Sequence, residues 1–471
     1  MDWAHFVYHR SPVAVQNLMV AVRGWQLKRL RFGEDFVRHS AFLERSQFFS
    51  KSEIREYQER RLREVMVHCQ NHVPHYQRQM RTNRITAEDV SIDNLGEHFP
   101  VLAKEDVRGS GREFLSTAYR GDHLVKINTS GTTGSPLNVA ATRTAIQHNY
   151  AFFARFLAWA GVGVGQKSAT FAGRVIISPH QTKPPFWRRN PTLNNTLFSS
   201  YHISDDTIPA YLEELDRSNP SFIDSYPSAI FAVAQYINLH SVPHGIRPKA
   251  IITSSETLLS HQRIEIEKAF HCPVFDQYGG AEMVAFIAQC EHGTYHMNPE
   301  YGLLEVIDHD GKSVGEGEAG QLVCTSFLNL AMPLIRYRIG DSVVMGDRTC
   351  GCGRNFPVVG AIAGRTDDFI VTPDGRYVGR LDPVFKGMQH IKESQIIQER
   401  TDLITVRIVR EPGFRDETAR ELVEALKQRL GNMTVNIEYC DRIPRTAAGK
   451  FRSVVSRVAS RIDGRQGSVG V

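Results

Sequence analysis

Eight consecutive residues, Thr129-Ser130-Gly131-Thr132-Thr133-Gly134-Ser135-Pro136, constrain this chain more than any other stretch. All are small, hydroxylated or turn-forming, and they sit directly behind a short β-like run, Leu124 to Asn128. A loop of this kind is built to hold phosphate. Its glycines let the backbone approach an anion and adopt positive φ, while hydroxyls and successive N–H groups aim donors into one concavity. It is not a Walker A loop, which ends in Gly-Lys-Ser/Thr. Here Ser135 and Pro136 follow Gly134, so a cation facing the phosphates has to come from elsewhere in the chain. A solvated Ser/Thr/Gly linker is the alternative, disfavoured by the position behind a strand.

With 471 residues the chain is long enough for more than one domain and an ample core. A composition of 41% hydrophobic and 23% charged residues excludes extended disorder as the main state. The net charge of +5 is spread along the length and favours anionic ligands only weakly, so no nucleic-acid partner is expected. Met1 to His5 lack a cationic region followed by an apolar core, which points to a cytoplasmic protein. Val13 to Val22 is apolar but far too short to cross a bilayer. Arg23, Lys28, Arg29 and Arg31 then interleave with Trp25, Leu27, Leu30 and Phe32. Such a basic amphipathic helix either packs on its own domain, the preferred reading, or rests on an anionic membrane surface, making the protein peripheral at the inner membrane face.

Seven cysteines, with no export signal, give no reason to expect disulfides. Their clustering is informative: Cys290 and His296 are close in sequence, and Cys350-Gly351-Cys352 brings two sulfurs together in a tight turn. Three thiols and one imidazole make a closed tetrahedral zinc set, with His292 competing for the nitrogen position. The alternative is a set of unrelated buried thiols and surface histidines.

The first hundred residues read as helical, with Ile54, Tyr57, Leu62, Val65 and Met66 at helical spacing in Ser52 to His72. A second helix is expected over Thr142 to Trp159. Short apolar runs, Ala250 to Thr253 and Pro273 to Asp276, alternate with the helix Ser260 to Phe270, which predicts an α/β domain with a partly parallel sheet. From Gly302 the pattern turns β-rich, with Asp308 to Lys312 as a hairpin turn. Gln181 to Asn195, containing Pro184-Pro185-Phe186-Trp187-Arg188-Arg189, has no periodicity and reads as a loop, either a surface insertion or a substrate cover. A last unit starts near Asp367: a strand Leu403 to Val409, a helix Asp416 to Leu430 and a strand Thr434 to Tyr439, the size of a small α+β domain.

Further motifs follow the phosphate loop in a fixed order: Ser254-Ser255-Glu256, Tyr278-Gly279-Gly280-Ala281-Glu282, Tyr337-Arg338-Ile339-Gly340-Asp341, Gly364-Arg365-Thr366-Asp367-Asp368 and Arg445-Thr446-Ala447-Ala448-Gly449-Lys450. With them the chain resembles the adenylate-forming superfamily of acyl-CoA synthetases and ligases over essentially its full length. The resemblance is strongest to the phenylacetate-CoA ligase-like branch that includes proteins of capsular polysaccharide biosynthesis. It implies a large adenylation domain over residues 1–366, with its helical region over 1–100, and a small mobile α+β domain over 367–471. It implies ATP and Mg²⁺ as cofactors, with nucleotide contacts from Thr129, Ser130, Gly131, Thr132, Thr133, Gly134, Ser255, Glu256, Tyr278, Gly279, Gly280, Ala281, Asp341 and Arg365. The chemistry of each supports this: Tyr278 offers a flat ring for adenine, Glu282 a carboxylate for Mg²⁺, Asp341 an acceptor for ribose hydroxyls, Arg365 a planar fork and Lys450 the missing cation.

By the same resemblance a carboxylate attacks the α-phosphate of MgATP, pyrophosphate leaves, and a thiol or amine then displaces AMP. Lys450 and Glu282 are the catalytic expectations, with Asp367 as the hinge about which the small domain rotates between the half-reactions. Relatives with the same Cys-x5-His and Cys-x-Cys arrangement bind zinc, which implies Cys290, His296, Cys350 and Cys352 as structural ligands. CoA is the default acceptor; an amide-forming ligase of cell-surface polysaccharide assembly and a non-catalytic nucleotide-binding subunit are the alternatives. Phe152, Phe153, Ser225, Tyr226 and the surroundings of Ser255 are the suggested acyl-pocket walls. Lys183, Arg188, Arg189 and Asn190 point to a substrate more anionic than phenylacetate, such as a uronic-acid sugar or an amino acid. A homodimer is expected from the resemblance only.

Overall fold

The computed structural model describes residues 3–119, 123–128, 137–173, 175–178, 181–258, 260–308, 310–346, 349–363, 370–374, 377–378, 381–385, 388, 390–443, 454–456 and 458. The N-terminal region is helical, through Trp3–Arg10, Val13–Arg31, Glu34–Ser46, Lys51–His72 and Pro74–Asn83. Helix Lys51–His72 opens on a capping box: the Glu53 N–H donates to Ser50 Oγ and the Ser50 N–H donates to the Glu53 carboxylate at 2.8 Å, satisfying two donors that the helix itself cannot. Helix Arg143–Trp159 starts on a simple N-cap, with Thr142 Oγ1 accepting from the Ala145 N–H at 3.1 Å.

Strands β1 (Val125–Asn128) and β2 (Asn138–Ala141) pair antiparallel and bracket the Ser/Thr/Gly run. That run, Thr129 to Pro136, lies outside the described residues, as do Arg365, Asp367 and Lys450. Twelve further strands form one sheet: β3 (Ser168–Ala172), β4 (Trp187–Asn190), β5 (Asn195–Ser199), β6 (Phe222–Ser225), β7 (Ala250–Ser254), β8 (Val274–Gly279), β9 (Phe286–Gln289), β10 (Tyr295–Met297), β11 (Gly302–Ile307), β12 (Ala319–Ser326), β13 (Tyr337–Met345) and β14 (Val358–Ala363). Their order is β11-β12-β13-β14-β10-β9-β8-β7-β6-β3-β5-β4. From β5 through β3, β6 and β7 to β8 the pairing is parallel; from β8 to β9 onward it is antiparallel. The two regimes meet at β8, whose C-terminal end is Tyr278-Gly279.

The parallel half is buried by the helices Ile208–Ser218, Pro227–His240 and Ser260–Phe270, through Leu215, Ile230, Val233, Ile266 and Phe270 against Phe171, Ile223 and Ile251. The antiparallel half shares a second core with the N-terminal helices, in which Phe152, Phe156, Phe286 and Tyr301 meet. Inside that core Arg155 pairs with Glu300 at 2.7 Å and donates to Asn298 at 2.5 Å, while Ser46 donates to Glu300 at 2.7 Å. The buried ions thus satisfy one another.

Beyond residue 369, β15 (Ile370–Val371) pairs with β16 (Tyr377–Val378), and β17 (Ile391–Arg400), β18 (Leu403–Arg410), β19 (Thr434–Tyr439) and β20 (Val454–Ser456) form a sheet in the order β19-β18-β17-β20. Helix Asp416–Leu430 covers it, with Leu422 and Leu426 on Ile396, Ile404 and Val406. The architecture is α/β with a mixed sheet, as expected. The division expected at residue 366 falls on residues 364–369, outside those described.

One expectation needs correction. Gln181 to Asn195 is not a free loop: its second half is β4, the edge of the large sheet, with Arg188 only 1% exposed. Arg188 donates to Gln16 Oε1, Arg189 to the Glu214 carboxylate, and the Asn190 side chain accepts from the Leu193 N–H. These polar groups serve the fold, so they give no argument for an anionic substrate. Asp308 to Lys312 turns as expected: the Asp308 N–H donates to the Lys312 carbonyl at 2.8 Å and Ile307 bridges Ser313 antiparallel across it, while the extended partner of β11 is β12.

Candidate active site and metal cluster

The junction strand β8 carries the site. Its parallel neighbour β7 ends in Ser254, and its antiparallel neighbour β9 leads into the turn 290–294. Tyr278, half-buried at the end of β8, donates its hydroxyl to Asp341 Oδ2 at 2.6 Å. Asp341 comes from the middle of β13, next to Gly340 with φ of 95°, a backbone conformation that favours glycine. Residues 63 apart in sequence are thereby locked together.

Glu282 lies in the turn that follows β8 and is 6% exposed. A Cβ on Gly280 would sit 2.8 Å from Glu282 Oε2 and 3.3 Å from Ile339, so only glycine leaves the carboxylate room to fold back there. Lys104 Nζ approaches Glu282 Oε1 at 3.7 Å, and both side chains are nearly enclosed. Sequence reasoning missed this lysine. It stands at the start of the short helix Lys104–Gly109, delivered by a parallel bridge between Leu102 and Tyr337 of β13. A carboxylate with an ammonium beside it is a site where a divalent cation and a protein cation can exchange.

Ser255 adopts a φ of 75°, and the turn it makes swings Glu256 onto the N-terminus of helix Pro227–His240. There the Glu256 carboxylate accepts from the Ser228 N–H at 3.0 Å and the Ser228 hydroxyl at 3.1 Å, a charge placed where the helix dipole favours it. Tyr226, Ser228 and Glu256 line a cavity of about 280 Å³ whose far wall includes Asp374 and Val378. Of the suggested pocket walls, Tyr226 lines this space, whereas Phe152 is fully buried core against Phe286 and Tyr301.

The cysteine cluster is close by. Ligand atoms of Cys290, His296, Cys350 and Cys352 all lie within 4.8 Å of one another. Cys290 Sγ is 3.6 Å from Cys350 Sγ, and Cys352 Sγ is 3.5 Å from His296 Nε2. These separations fit a tetrahedral zinc with Zn–S of about 2.3 Å and Zn–N of about 2.0 Å. His296 Nδ1 is oriented by the Phe356 carbonyl at 3.4 Å, the usual second contact of a liganding imidazole. His292 joins the cluster only through its backbone N–H, 3.4 Å from Cys290 Sγ, which decides between the two histidines. Burial pushes the Cys290 thiol up to about 12, so a thiolate there needs a cation against it.

Between the two places sits Asp276 on β8. It accepts from Thr253 Oγ1 at 2.6 Å and from Tyr295 Oη at 2.7 Å. Its N–H donates to Gln289 Oε1 at 2.9 Å. Gln289 and Tyr295 flank the turn bearing Cys290, so the hairpin of the cluster is fastened to the strand of Tyr278. Burial pushes the Asp276 carboxyl up to about 6.

Known proteins resemble the chain in sequence and in fold. CapK of Staphylococcus aureus is 26% identical over 460 residues, covering 96% of this chain and 99% of that protein. A phenylacetate-coenzyme A ligase of Thermus thermophilus is 24% identical over 444 residues, covering 86% and 97%. The chain is a homologue of CapK and the phenylacetate-CoA ligases. The family described as CapK C-terminal domain matches residues 370–457. Among solved structures, 2-hydroxyisobutyryl-CoA ligase in complex with 2-HIB-AMP and CoA in the thioesterification state superimposes with a TM-score of 0.60 at 20% identity, covering 90% of this chain and 94% of that one. The chain thus shares its fold with an acyl-CoA ligase and is similar in sequence to phenylacetate-CoA ligases over most of its length.

Proposed function

We propose that the chain activates a carboxylic acid with MgATP, releasing pyrophosphate and forming an acyl-adenylate, and passes the acyl group to the thiol of CoA. The observation that carries this reading is the Tyr278–Asp341 bond at the end of β8. It holds a flat ring for adenine beside a carboxylate for the ribose hydroxyls, which orients the nucleotide before reaction. Glu282 is the residue that would hold Mg²⁺, which supplies charge neutralisation at the phosphates. Lys104, 3.7 Å away, is then released to face the same phosphates. Ser255, Gly279, Gly280 and Ala281 line the approach to this strand end, and Glu256 supports it from the helix terminus. The phosphate loop Thr129 to Gly134, Arg365, the hinge Asp367 and Lys450 complete the site by resemblance. Cys290, His296, Cys350 and Cys352 bind a structural zinc, closed by four protein ligands and without an open position for chemistry.

One observation favours an amine as acceptor. The cavity beside Glu256 is lined by Asp205, Glu256, Asp374, Tyr201, Tyr226 and Tyr236, and no lysine or arginine is among its described lining residues. Such a wall suits a cationic acceptor better than the phosphates of CoA. The amide-forming reading, in cell-surface polysaccharide assembly, therefore stands second. Pyrophosphate release across aryl acids, amino acids and uronic-acid sugars, with CoA or an amine supplied, separates the two. Turnover that requires CoA and yields a thioester supports the first reading; turnover that requires the amine supports the second. ATP binding without release for any acid would assign the chain to a non-catalytic nucleotide-binding role.

A further inference from the structure

Helix Val13–Arg31 packs on the domain with the wrong face. Val15, Leu18, Val22 and Trp25, spaced three and four residues apart, fall on one side and are 42%, 65%, 52% and 52% exposed. The side that meets β4 and the turn after it is mostly small and polar, with Val20 and Leu27 half-buried beside the polar contacts. Gln16 accepts from Arg188, Asn17 accepts from the Arg189 N–H at 3.0 Å, and the Ala21 carbonyl accepts from Thr192 at 3.0 Å. Gly24 lies so near Asn190 that a Cβ would stand 2.3 Å from its side-chain oxygen. A helix folded onto its own domain for hydrophobic reasons would show the reverse arrangement. Here hydrogen bonds hold the inner face, and the apolar stripe is left on the surface.

The helix and its approach carry charge of one sign, the nearest acidic residues in sequence being Asp2 before it and Glu34 and Asp35 after it. No acidic residue occurs between Trp3 and Gly33, while Arg10, Arg23, Lys28, Arg29 and Arg31 all do. Arg29 stacks on the Trp25 ring at 4.8 Å and so joins the end of the apolar row. Arg143, exposed at the start of the neighbouring helix, donates to the Arg29 carbonyl and adds to the same field. A second copy of the chain laid on this face would set these cations against themselves. An anionic lipid surface meets both features at once, taking the apolar side chains below the headgroups and pairing the cations with phosphates.

We propose that helix Val13–Arg31 docks the protein on an anionic membrane surface, with Leu18, Val22 and Trp25 entering the headgroup boundary. Among the described residues no helix is long and apolar enough to cross a membrane, so the contact is peripheral. The test is co-sedimentation of the full chain with vesicles of phosphatidylcholine alone and of phosphatidylcholine mixed with phosphatidylglycerol. Binding to the mixed vesicles is expected to exceed binding to the neutral ones by about tenfold or more and to weaken with added salt. Leu18→Glu, Trp25→Glu and the double substitution Lys28→Glu/Arg29→Glu should each lower it by about tenfold. Their exposure predicts unchanged thermal unfolding and unchanged nucleotide binding. Equal behaviour of the two vesicle types, or binding that survives Leu18→Glu, overturns the proposal. Concentration-dependent self-association that Leu18→Glu abolishes would also overturn it, giving the face to a second copy.

Discussion

The cysteine cluster and the nucleotide strand end are neighbours, tied through Asp276, yet they keep their polar groups in opposite conditions. In the cluster, four ligand atoms already converge within 4.8 Å, and His296 is oriented by a carbonyl. At the strand end the reactive groups are turned on one another: the Tyr278 hydroxyl on Asp341, the Lys104 ammonium toward Glu282. A structural metal needs one fixed geometry. A site that binds and releases a charged substrate has to keep its buried charges paired in between, and must exchange partners as the ligand arrives. Glu282 and Asp341 are therefore held ready without being left costly.

The largest effect should come from removing a group that acts only on the nucleotide. Asp341→Ala should cut kcat/KM for ATP by about 10²–10³-fold while the unfolding midpoint stays in place, read by pyrophosphate release and calorimetry. Loss of fold instead would break the comparison by making Asp341 a structural residue. The cluster should behave in the converse way. Cys352→Ala, or prolonged chelation, should remove one equivalent of zinc by elemental analysis and lower stability by about 3 kcal/mol, with nucleotide affinity kept as long as the fold persists.

Asp276 couples the two regions and titrates within reach of experiment. Its carboxyl is raised to about 6 in the folded chain, above the ordinary value of about 3.9. The stability it contributes is thus present below about pH 4 and lost as pH rises through about 6. Asp276→Asn should flatten that part of the stability profile, a difference of about 3 kcal/mol between the two ends. An unchanged profile would mean that Tyr295 and Thr253 keep the carboxylate as well solvated as water does. The smallest effect is expected from Tyr278→Phe, which keeps the ring and removes only the bond to Asp341: about a tenfold rise in KM for ATP with kcat little changed.

Much of this was legible in the residues. The helix Asp416–Leu430 and the strand Thr434–Tyr439 were readable to the residue, because their apolar spacing and flanking turns agree. The cluster was readable because cysteine is scarce and its pairs are short-range, and geometry then chose His296 over His292. Strand β4 was not. Its inward positions are Arg188 and Asn190, which bury against Gln16 and Gly24 of a helix that presents polar atoms, so no hydrophobic alternation marks it. Nor was Lys104, whose approach to Glu282 depends on a bridge between Leu102 and Tyr337, far apart in the chain. Strand β17, Ile391–Arg400, carries so many charged and polar side chains that Ile391, Ile396 and Ile397 are its three apolar residues, too few to show an alternation.

The central claim is that this strand end activates a carboxylic acid on ATP, and ATP–pyrophosphate exchange measures that step without regard to the final acceptor. The account predicts exchange that depends on one class of carboxylic acid, requires Mg²⁺, and falls to background in Glu282→Gln and Lys450→Ala. Exchange that is absent for every acid while ATP binds, or that persists undiminished in both variants, would contradict it.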